Sequence, residues 1–202
     1  MKRNSDLHGN APDSASVALL LIDVINDLEF EGGEKLLRHA LPTARRIADL
    51  KQRCGGAGIP AIYVNDNFGK WRSDFKKLVS HCLDDNTRGR AIVELLKPAP
   101  DDYFVLKPRH SGFYSTTLDL LLKHLGVETV ILAGFTADIC ILFTANDAYM
   151  RDYRLVIPAD CVASQDETEN QRALKFMERV LKADISPSAQ ADLKLISRAA
   201  TN

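Results

Sequence analysis

The chain has no long hydrophobic segment and no marked excess of charge of either sign. Its longest apolar run, residues 17–25, is interrupted by Asp23 and falls far short of the ~20 residues that a transmembrane helix needs. The 27 acidic and 26 basic residues leave a formal net charge of -1, so no global field would attract nucleic acid or an anionic membrane. We therefore expect neither kind of partner.

The N-terminal segment 1–15 is polar and contains no apolar stretch resembling the core of a signal peptide. We expect it to form a flexible tail on a single domain at 16–202, because the chain is long enough for only one generous core. The four cysteines form no C-x-x-C pair and no zinc-site spacing. Together with the missing export signal, they predict free thiols and a cytoplasmic location.

Three motifs of common α/β enzymes are also missing. The first apolar run leads into Asp23-Val24-Ile25-Asn26-Asp27 instead of a G-x-G-x-x-G turn, and no G-x-x-x-x-G-K-[ST] loop cradles a nucleotide. No G-x-S-x-G elbow occurs, which argues against a serine hydrolase. The five histidines form no H-x-x-x-H pair. We expect no cofactor and no metal.

Short apolar, β-branched runs alternate with amphipathic stretches, a pattern typical of a parallel sheet covered on both faces. The pattern predicts an α/β fold, a three-layer, doubly wound, Rossmann-like domain with a mainly parallel six-stranded sheet. The predicted strands are 16–24, 59–65, 103–107, 129–133, 154–157 and one near 193–196. The predicted helices are 34–57, with a kink or restart at Pro42, 73–81, 116–125, 138–150 and 166–181. A ligand site belongs at the carboxyl ends of the strands.

Cys140 is the candidate nucleophile. It stands six residues after Gly134, where an apolar strand gives way to an apolar helix. The free N–H groups and the positive dipole end of a helix N-terminus favour thiolate over thiol, so we expect an acidic cysteine. The alternative is a small buried hydrophobe, which is what most free cysteines are.

Asp23 and Lys107 are predicted to join Cys140 at the same rim. Asp23 interrupts an apolar run that is typical of a central strand, and a carboxylate buried there needs a partner. Lys107 closes the apolar strand 103–106 and supplies that partner; the alternatives are a structural role for Asp23 and a solvated surface role for Lys107. Carboxylate, ammonium and thiol at three strand ends form a constellation suited to covalent acyl transfer.

Three segments, 20–27, 107–113 and 134–140, together resemble the isochorismatase-like cysteine hydrolase superfamily over residues 18 to about 165. That superfamily includes nicotinamidases, N-carbamoylsarcosine amidohydrolase and isochorismatases. The resemblance implies that Asp23, Lys107 and Cys140 are the catalytic triad. It also implies a cis peptide bond between Phe135 and Thr136.

The chain departs from two members of that superfamily. Nicotinamidases carry an Asp-x-His metal motif after the second strand, where this chain has Asn65-Asp66-Asn67, so the resemblance does not extend to a metal site or to nicotinamide as substrate. Isochorismatases lack the cysteine, so Cys140 favours cleavage of a C–N bond.

The resemblance implies a hydrolase that acts on a small amide, carbamoyl or lactam substrate through a thioester. Asp23 would move the proton, Lys107 would keep Asp23 ionised, and the backbone N–H groups of Thr136 and Cys140 would form the oxyanion hole. We expect a homo-oligomer, a dimer or tetramer. The predicted substrate-binding residues are Asn65, Phe68, Trp71, Arg109, Phe113 and Phe135.

Two other functions remain open. The first is a non-catalytic relative of the same fold that binds a small molecule or serves as an oligomeric scaffold. The second is a flavodoxin-like or redox module, which the sequence favours less because it has neither a phosphate loop nor a second cysteine near Cys140.

Overall fold

The structure is a computed structural model that describes residues 14–67, 74–84, 86–193 and 196. Within these ranges, strands and helices alternate along the chain, as the apolar periodicity predicts. No helix in the described ranges is both long and apolar enough to cross a membrane. Most of the predicted tail, residues 1–13, lies outside them.

The sheet contains six parallel strands. They are β1 (Val17–Ile22), β2 (Ala61–Asp66), β3 (Tyr103–Lys107), β4 (Thr129–Phe135), β5 (Arg154–Val156) and β6 (Val162–Ala163). Their order is β3-β2-β1-β4-β5, and β6 pairs with the carboxyl end of β4. The observed sheet confirms the predicted α/β class.

The strand order reverses beside β1. The chain runs outward from β1 through β2 to β3 and then returns to β4 on the other side of β1. A doubly wound sheet forms its ligand crevice at the carboxyl ends of the strands where the order reverses. The pairing of Ile22 with Gly134 brings the ends of β1 and β4 together at this point, so the residues that follow both strands share the crevice.

Helices cover both faces of the sheet. Leu19 and Leu21 of β1 belong to a core shared with α1 (Gly33–Gly56), α2 (Phe75–Asp84) and α3 (Arg90–Leu95). Leu20 and Ile22 point to the opposite face and belong to a core shared with α4 (Leu118–Leu125), α5 (Leu142–Tyr149) and α6 (Glu167–Leu181). Because successive strand residues alternate between faces, the wholly apolar β1 fits between two helical layers.

The long first helix is continuous. It passes through Pro42 without a break, so the predicted restart is wrong. Its buried positions, including Leu36, Ala40, Ile47 and Leu50, recur at helical spacing along the face that packs on the sheet. Burial of this stripe holds the helix together across the proline.

The sixth strand lies elsewhere than predicted. Leu193 and Ile196 are helical, and the Ile196 N–H donates to the Asp192 carbonyl at 2.9 Å. The strand that completes the sheet is the two-residue β6. A short apolar run has no period that distinguishes a strand from a helical turn, and two residues are too few to give a sequence signal.

The helix predicted at 138–150 begins with a different geometry. Residues Ala137–Ile141 form a π-helical turn, in which the Ile141 N–H donates to the Thr136 carbonyl at 3.0 Å, and the regular helix α5 follows. Single π-turns occur often at functional sites. Cys140 therefore lies on a wide turn between β4 and α5.

Gly134 allows the close approach of β4 to β1, and its replacement should destabilise the fold. It has φ +127°, and a Cβ there would lie 2.1 Å from the Ile22 carbonyl oxygen. We expect Gly134→Ala to lower the free energy of unfolding by about 3 kcal/mol or more, through strain and the steric clash. Urea unfolding followed by circular dichroism measures the change.

Gly55→Ala is the matched control, because Gly55 lies in α1 and a Cβ there meets nothing within 4 Å. We expect this variant to be neutral or slightly more stable, since alanine favours helix. Equal stability of the two variants would show that the approach of β4 to β1 tolerates a side chain.

Candidate active site

Asp23 lies directly after β1 and faces the crevice. It has φ 52°, a left-handed conformation that aspartate tolerates better than most residues, and it is 6% exposed. Its N–H donates to the Val64 carbonyl at 3.0 Å, and its Oδ1 accepts the Asp66 N–H at 2.7 Å. These bonds to the end of β2 fix the carboxylate.

Lys107 ends β3 and is fully buried. Its Nζ lies 2.8 Å from Asp23 Oδ2, 3.6 Å from Asp66 Oδ2 and 3.5 Å from Cys140 Sγ. It also donates to the Arg109 carbonyl at 3.2 Å. The solvated-lysine alternative is therefore wrong, and the predicted pairing of Asp23 with Lys107 is confirmed.

Cys140 lies on the π-turn and is the one partly exposed residue among the four cysteines. The other three, Cys54, Cys82 and Cys161, are buried, and all four are free. The turn is fastened at two points. Thr144 Oγ1 donates to the Cys140 carbonyl at 2.7 Å, and Ser164 Oγ donates to Asp138 Oδ1 at 2.6 Å. The thiol is thereby held beside the ammonium of Lys107.

The surroundings of Cys140 favour the thiol over the thiolate. Burial raises the pKa of Cys140 well above its ordinary value, the charge of Asp23 raises it further, and Lys107 lowers it only in part. The prediction of an acidic cysteine is therefore wrong. Burial and the carboxylate of Asp23, neither visible in the local sequence, outweigh the ammonium of Lys107.

Burial also changes the pKa values of Asp23 and Lys107, the ion pair beside the thiol. Burial raises the pKa of the Asp23 carboxyl, although the charge and hydrogen bond of Lys107 offset part of the effect. For Lys107, burial alone would lower the pKa, but Asp23, Cys140 and Asp66 outweigh burial and raise it. The surroundings thus favour the charged ammonium of Lys107, and the Asp23 carboxyl interacts with the Cys140 thiol as well as with Lys107.

The predicted substrate-binding residues lie in different environments. Asn65 is buried at the end of β2, where its amide donates to the Ile25 carbonyl at 2.7 Å. Phe113 packs against Tyr153 in the core, and Phe135 is buried in the core on the side of α1. Arg109 is exposed next to the site, and Thr136 precedes the π-turn. Phe68 and Trp71 lie outside the described residues.

The peptide bond between Phe135 and Thr136 is cis, as the resemblance implies.

Asp66 is the site residue whose place the sequence does not reveal. Because β2 pairs with β3 in parallel, Asp66 lies opposite Lys107 across the two strands. The sequence shows a carboxylate at the end of one strand and a lysine at the end of another. It does not show that the two residues lie opposite each other, because that depends on the register in which the strands pair.

The residues present do not fit a nicotinamidase-type metal site. In the sequence Asp66-Asn67-Phe68, phenylalanine stands where the Asp-x-His motif has histidine, and the described ranges contain no group of three histidine, cysteine, aspartate or glutamate side chains that could hold a metal ion.

A surface cavity of about 660 Å³ lies at the opposite edge of the sheet, near the amino ends of β4 and β5. Tyr149, Tyr153, Arg154 and Leu181 are among its lining residues, and Asp23, Lys107 and Cys140 are not. The arrangement of reactive groups, rather than cavity size, therefore locates the candidate active site.

The fold and these groups define a class, the α/β proteins with a carboxylate, an ammonium and a thiol at the carboxyl edge of a parallel sheet. Residues 17–189 match the model of the isochorismatase domain, and the chain belongs to the isochorismatase family. It is 43% identical over 176 residues to an uncharacterized isochorismatase family protein of Bacillus subtilis, a match that covers 87% of this chain and 96% of that protein.

Two further relatives carry functional names. The chain is 30% identical over 176 residues to a ureidoacrylate amidohydrolase of Methylobacterium radiotolerans, covering 74% of this chain and 68% of that protein. Its fold matches that of N-carbamoylsarcosine amidase from Thermoplasma acidophilum with a TM-score of 0.68 and 26% identity, covering 88% of this chain and 99% of that one.

Alkylation of Cys140 should respond to the charges around it. Asp23→Asn removes the carboxylate that opposes thiolate formation and leaves Lys107 in place. We therefore expect Asp23→Asn to raise the rate of iodoacetamide labelling of Cys140 about tenfold at pH 7, measured by peptide mapping. In the double variant with Lys107→Met, this gain should disappear.

The buried Cys54, Cys82 and Cys161 serve as internal controls and should label slowly in every variant. Thermal melts establish that each variant is folded. Slower labelling of Cys140 in Asp23→Asn would contradict the electrostatic assignment of Asp23.

Proposed function

We propose that this protein is a cysteine hydrolase that cleaves the C–N bond of a small amide, carbamoyl or lactam substrate through a thioester. The observation that carries the proposal is the position of the Lys107 ammonium, 2.8 Å from Asp23 and 3.5 Å from the Cys140 sulfur. A nucleophile, its base and a cation that couples them are thus in contact at the edge of the crevice.

In the first half of the reaction, Asp23 accepts the proton of Cys140 as the sulfur attacks the substrate carbonyl carbon. The C–S bond forms and the carbonyl oxygen takes the electron pair. Collapse of this tetrahedral intermediate breaks the C–N bond, and Asp23 returns the proton to the leaving nitrogen. A thioester and a free amine or ammonia result.

Lys107 stabilises the negative charge as the charge moves between Asp23 and the sulfur. The N–H groups of Thr136 and Cys140 are the proposed donors to the oxyanion, because they border the turn that presents the sulfur. Donors of this kind usually supply the largest share of rate acceleration in acyl transfer.

In the second half, Asp23 takes a proton from a water molecule that attacks the thioester carbon. The C–O bond forms, the C–S bond breaks, and the sulfur regains the proton. The acid is released, so the full cycle consumes one water molecule.

The relatives support C–N cleavage, since two of them are named as an amidohydrolase and an amidase. They do not choose among amide, carbamoyl and lactam substrates. Cleavage of a C–N bond is also consistent with the site itself, because Cys140 offers a thiol nucleophile and Asp23 can return a proton to the leaving amine.

A panel of primary amides, ureido acids and lactams tests the proposal, with ammonia and acid release as the readout. We expect turnover by the wild type and none by Cys140→Ala. Asp23→Asn and Lys107→Met should each lower kcat/KM about a thousandfold or more, and the double variant should be scarcely worse, because the three groups act as a unit.

Lys97→Met is the matched control, because Lys97 is an exposed lysine. It should retain wild-type turnover. A Lys107→Met variant that is folded and fully active would remove Lys107 from the mechanism. Wild-type protein that binds members of the panel without turning them over would indicate the non-catalytic alternative.

A further inference from the structure

The candidate site contains a second carboxylate that the triad does not use. Asp66 ends β2, its side chain is 31% exposed, and its Oδ2 lies 3.6 Å from Lys107 Nζ. Its backbone N–H donates to Asp23 Oδ1 at 2.7 Å. Asp66 therefore touches both members of the buried ion pair, one through its side chain and one through its main chain.

We propose that Asp66 is a positioning residue, a second counter-ion that keeps Lys107 charged and in place while Asp23 is neutralised by the proton of Cys140. This inference rests on the proposed function, because it concerns the proton transfer within the triad.

A count of charges around Lys107 gives the reason. The charged and titratable groups in contact with the ammonium are Asp23 after β1, Asp66 at the end of β2 and Cys140 after β4; from its own segment, Lys107 meets the Arg109 carbonyl. When the thiol proton moves to Asp23, the carboxylate closest to Lys107 becomes neutral. In the tetrahedral intermediate, Asp23 still holds this proton and the sulfur is bonded to carbon, so neither group carries a negative charge.

The proposed cycle passes no proton through Asp66, so its carboxylate can serve as the counter-ion of Lys107 at each of these stages. A fully buried ammonium without a counter-ion is costly and tends to lose its proton. The Asp66 carboxylate is partly exposed, so it stays hydrated while it faces the ammonium. Its negative charge also opposes the loss of the thiol proton.

The main-chain contact adds a geometric role. The Asp66 N–H donates a hydrogen bond to Asp23 Oδ1, while the Lys107 ammonium pairs with Asp23 Oδ2. This division fixes the plane of the Asp23 carboxylate. A substitution that changes only the Asp66 side chain keeps this contact, so the charge can be tested separately from the geometry.

The test is the rate of iodoacetamide labelling of Cys140 as a function of pH in Asp66→Asn, Asp66→Glu and the wild type. Asp66→Asn keeps the size and the N–H but removes one negative charge near the sulfur, while Asp23 still pairs with Lys107 at rest, so thiolate formation is opposed less. We expect its labelling curve to lie at lower pH, with a rate at pH 7 about three- to tenfold above the wild type. Asp66→Glu restores the charge and should return the curve toward the wild type.

Asp101→Asn is the matched control. Asp101 is exposed and lies in the turn before the amino end of β3, whereas Lys107 ends that strand, so the length of β3, about 13 Å, lies between them. Its removal should leave the labelling curve unchanged. If Asp66→Asn does not fold, Asp66→Ser takes its place, since it also keeps the N–H and loses the charge.

The outcomes separate this inference from the proposed function. Wild-type labelling in Asp66→Asn, with faster labelling in Asp23→Asn, overturns the role of Asp66 and leaves the triad intact. Equal shifts in Asp66→Asn and Asp66→Glu also overturn it, because charge would not be the cause. If neither Asp23→Asn nor Asp66→Asn changes the curve, the charge arrangement of the proposed triad fails as well.

Discussion

The ion pair between Lys107 and Asp23 is the interaction on which the candidate site depends. Lys107 is fully buried, and an ammonium left there without its partner would cost about 3 to 5 kcal/mol. The pair forms because three parallel strands end at the same edge in register, with Asp23 after β1, Asp66 at the end of β2 and Lys107 at the end of β3. The register of the strands therefore determines which charges meet at the site.

This ion pair also determines how the cysteine can act. A cysteine beside a lysine alone would be a standing thiolate, reactive toward any electrophile that reached it. The charge of Asp23 also acts on the sulfur and favours its protonated form, so in the proposed reaction the proton leaves as the sulfur attacks the carbonyl carbon. The arrangement favours a nucleophile that is generated during the reaction rather than stored.

Much of the fold and of the candidate site follows from local sequence. β1 is apolar throughout because both of its faces are buried, and the polar residues that follow such strands must lie at the edge of the sheet. Asp23, Lys107 and Cys140 could be located on that basis. The position of β6, the π-turn and the pairing of Asp66 with Lys107 could not, because each depends on which distant segments pair. The raised pKa of Cys140 escaped prediction for the same reason. Phe113 packs against Tyr153 in the core, and its part in substrate binding stays a prediction, because the sequence does not distinguish an aromatic side chain that lines a pocket from one that packs.

The contact of Gly134 with Ile22 joins, through main-chain atoms, the strand ends that precede Asp23 and Cys140. Of the predicted substrate-binding residues, Arg109 and Phe113 lie in the segment after β3 and take no part in that contact. Pocket residues can then be exchanged during evolution without moving the reacting atoms relative to one another. Such a scaffold allows the substrate to change during evolution while the reaction stays the same. For protein engineering, it suggests varying the loops after the strands and keeping Gly134.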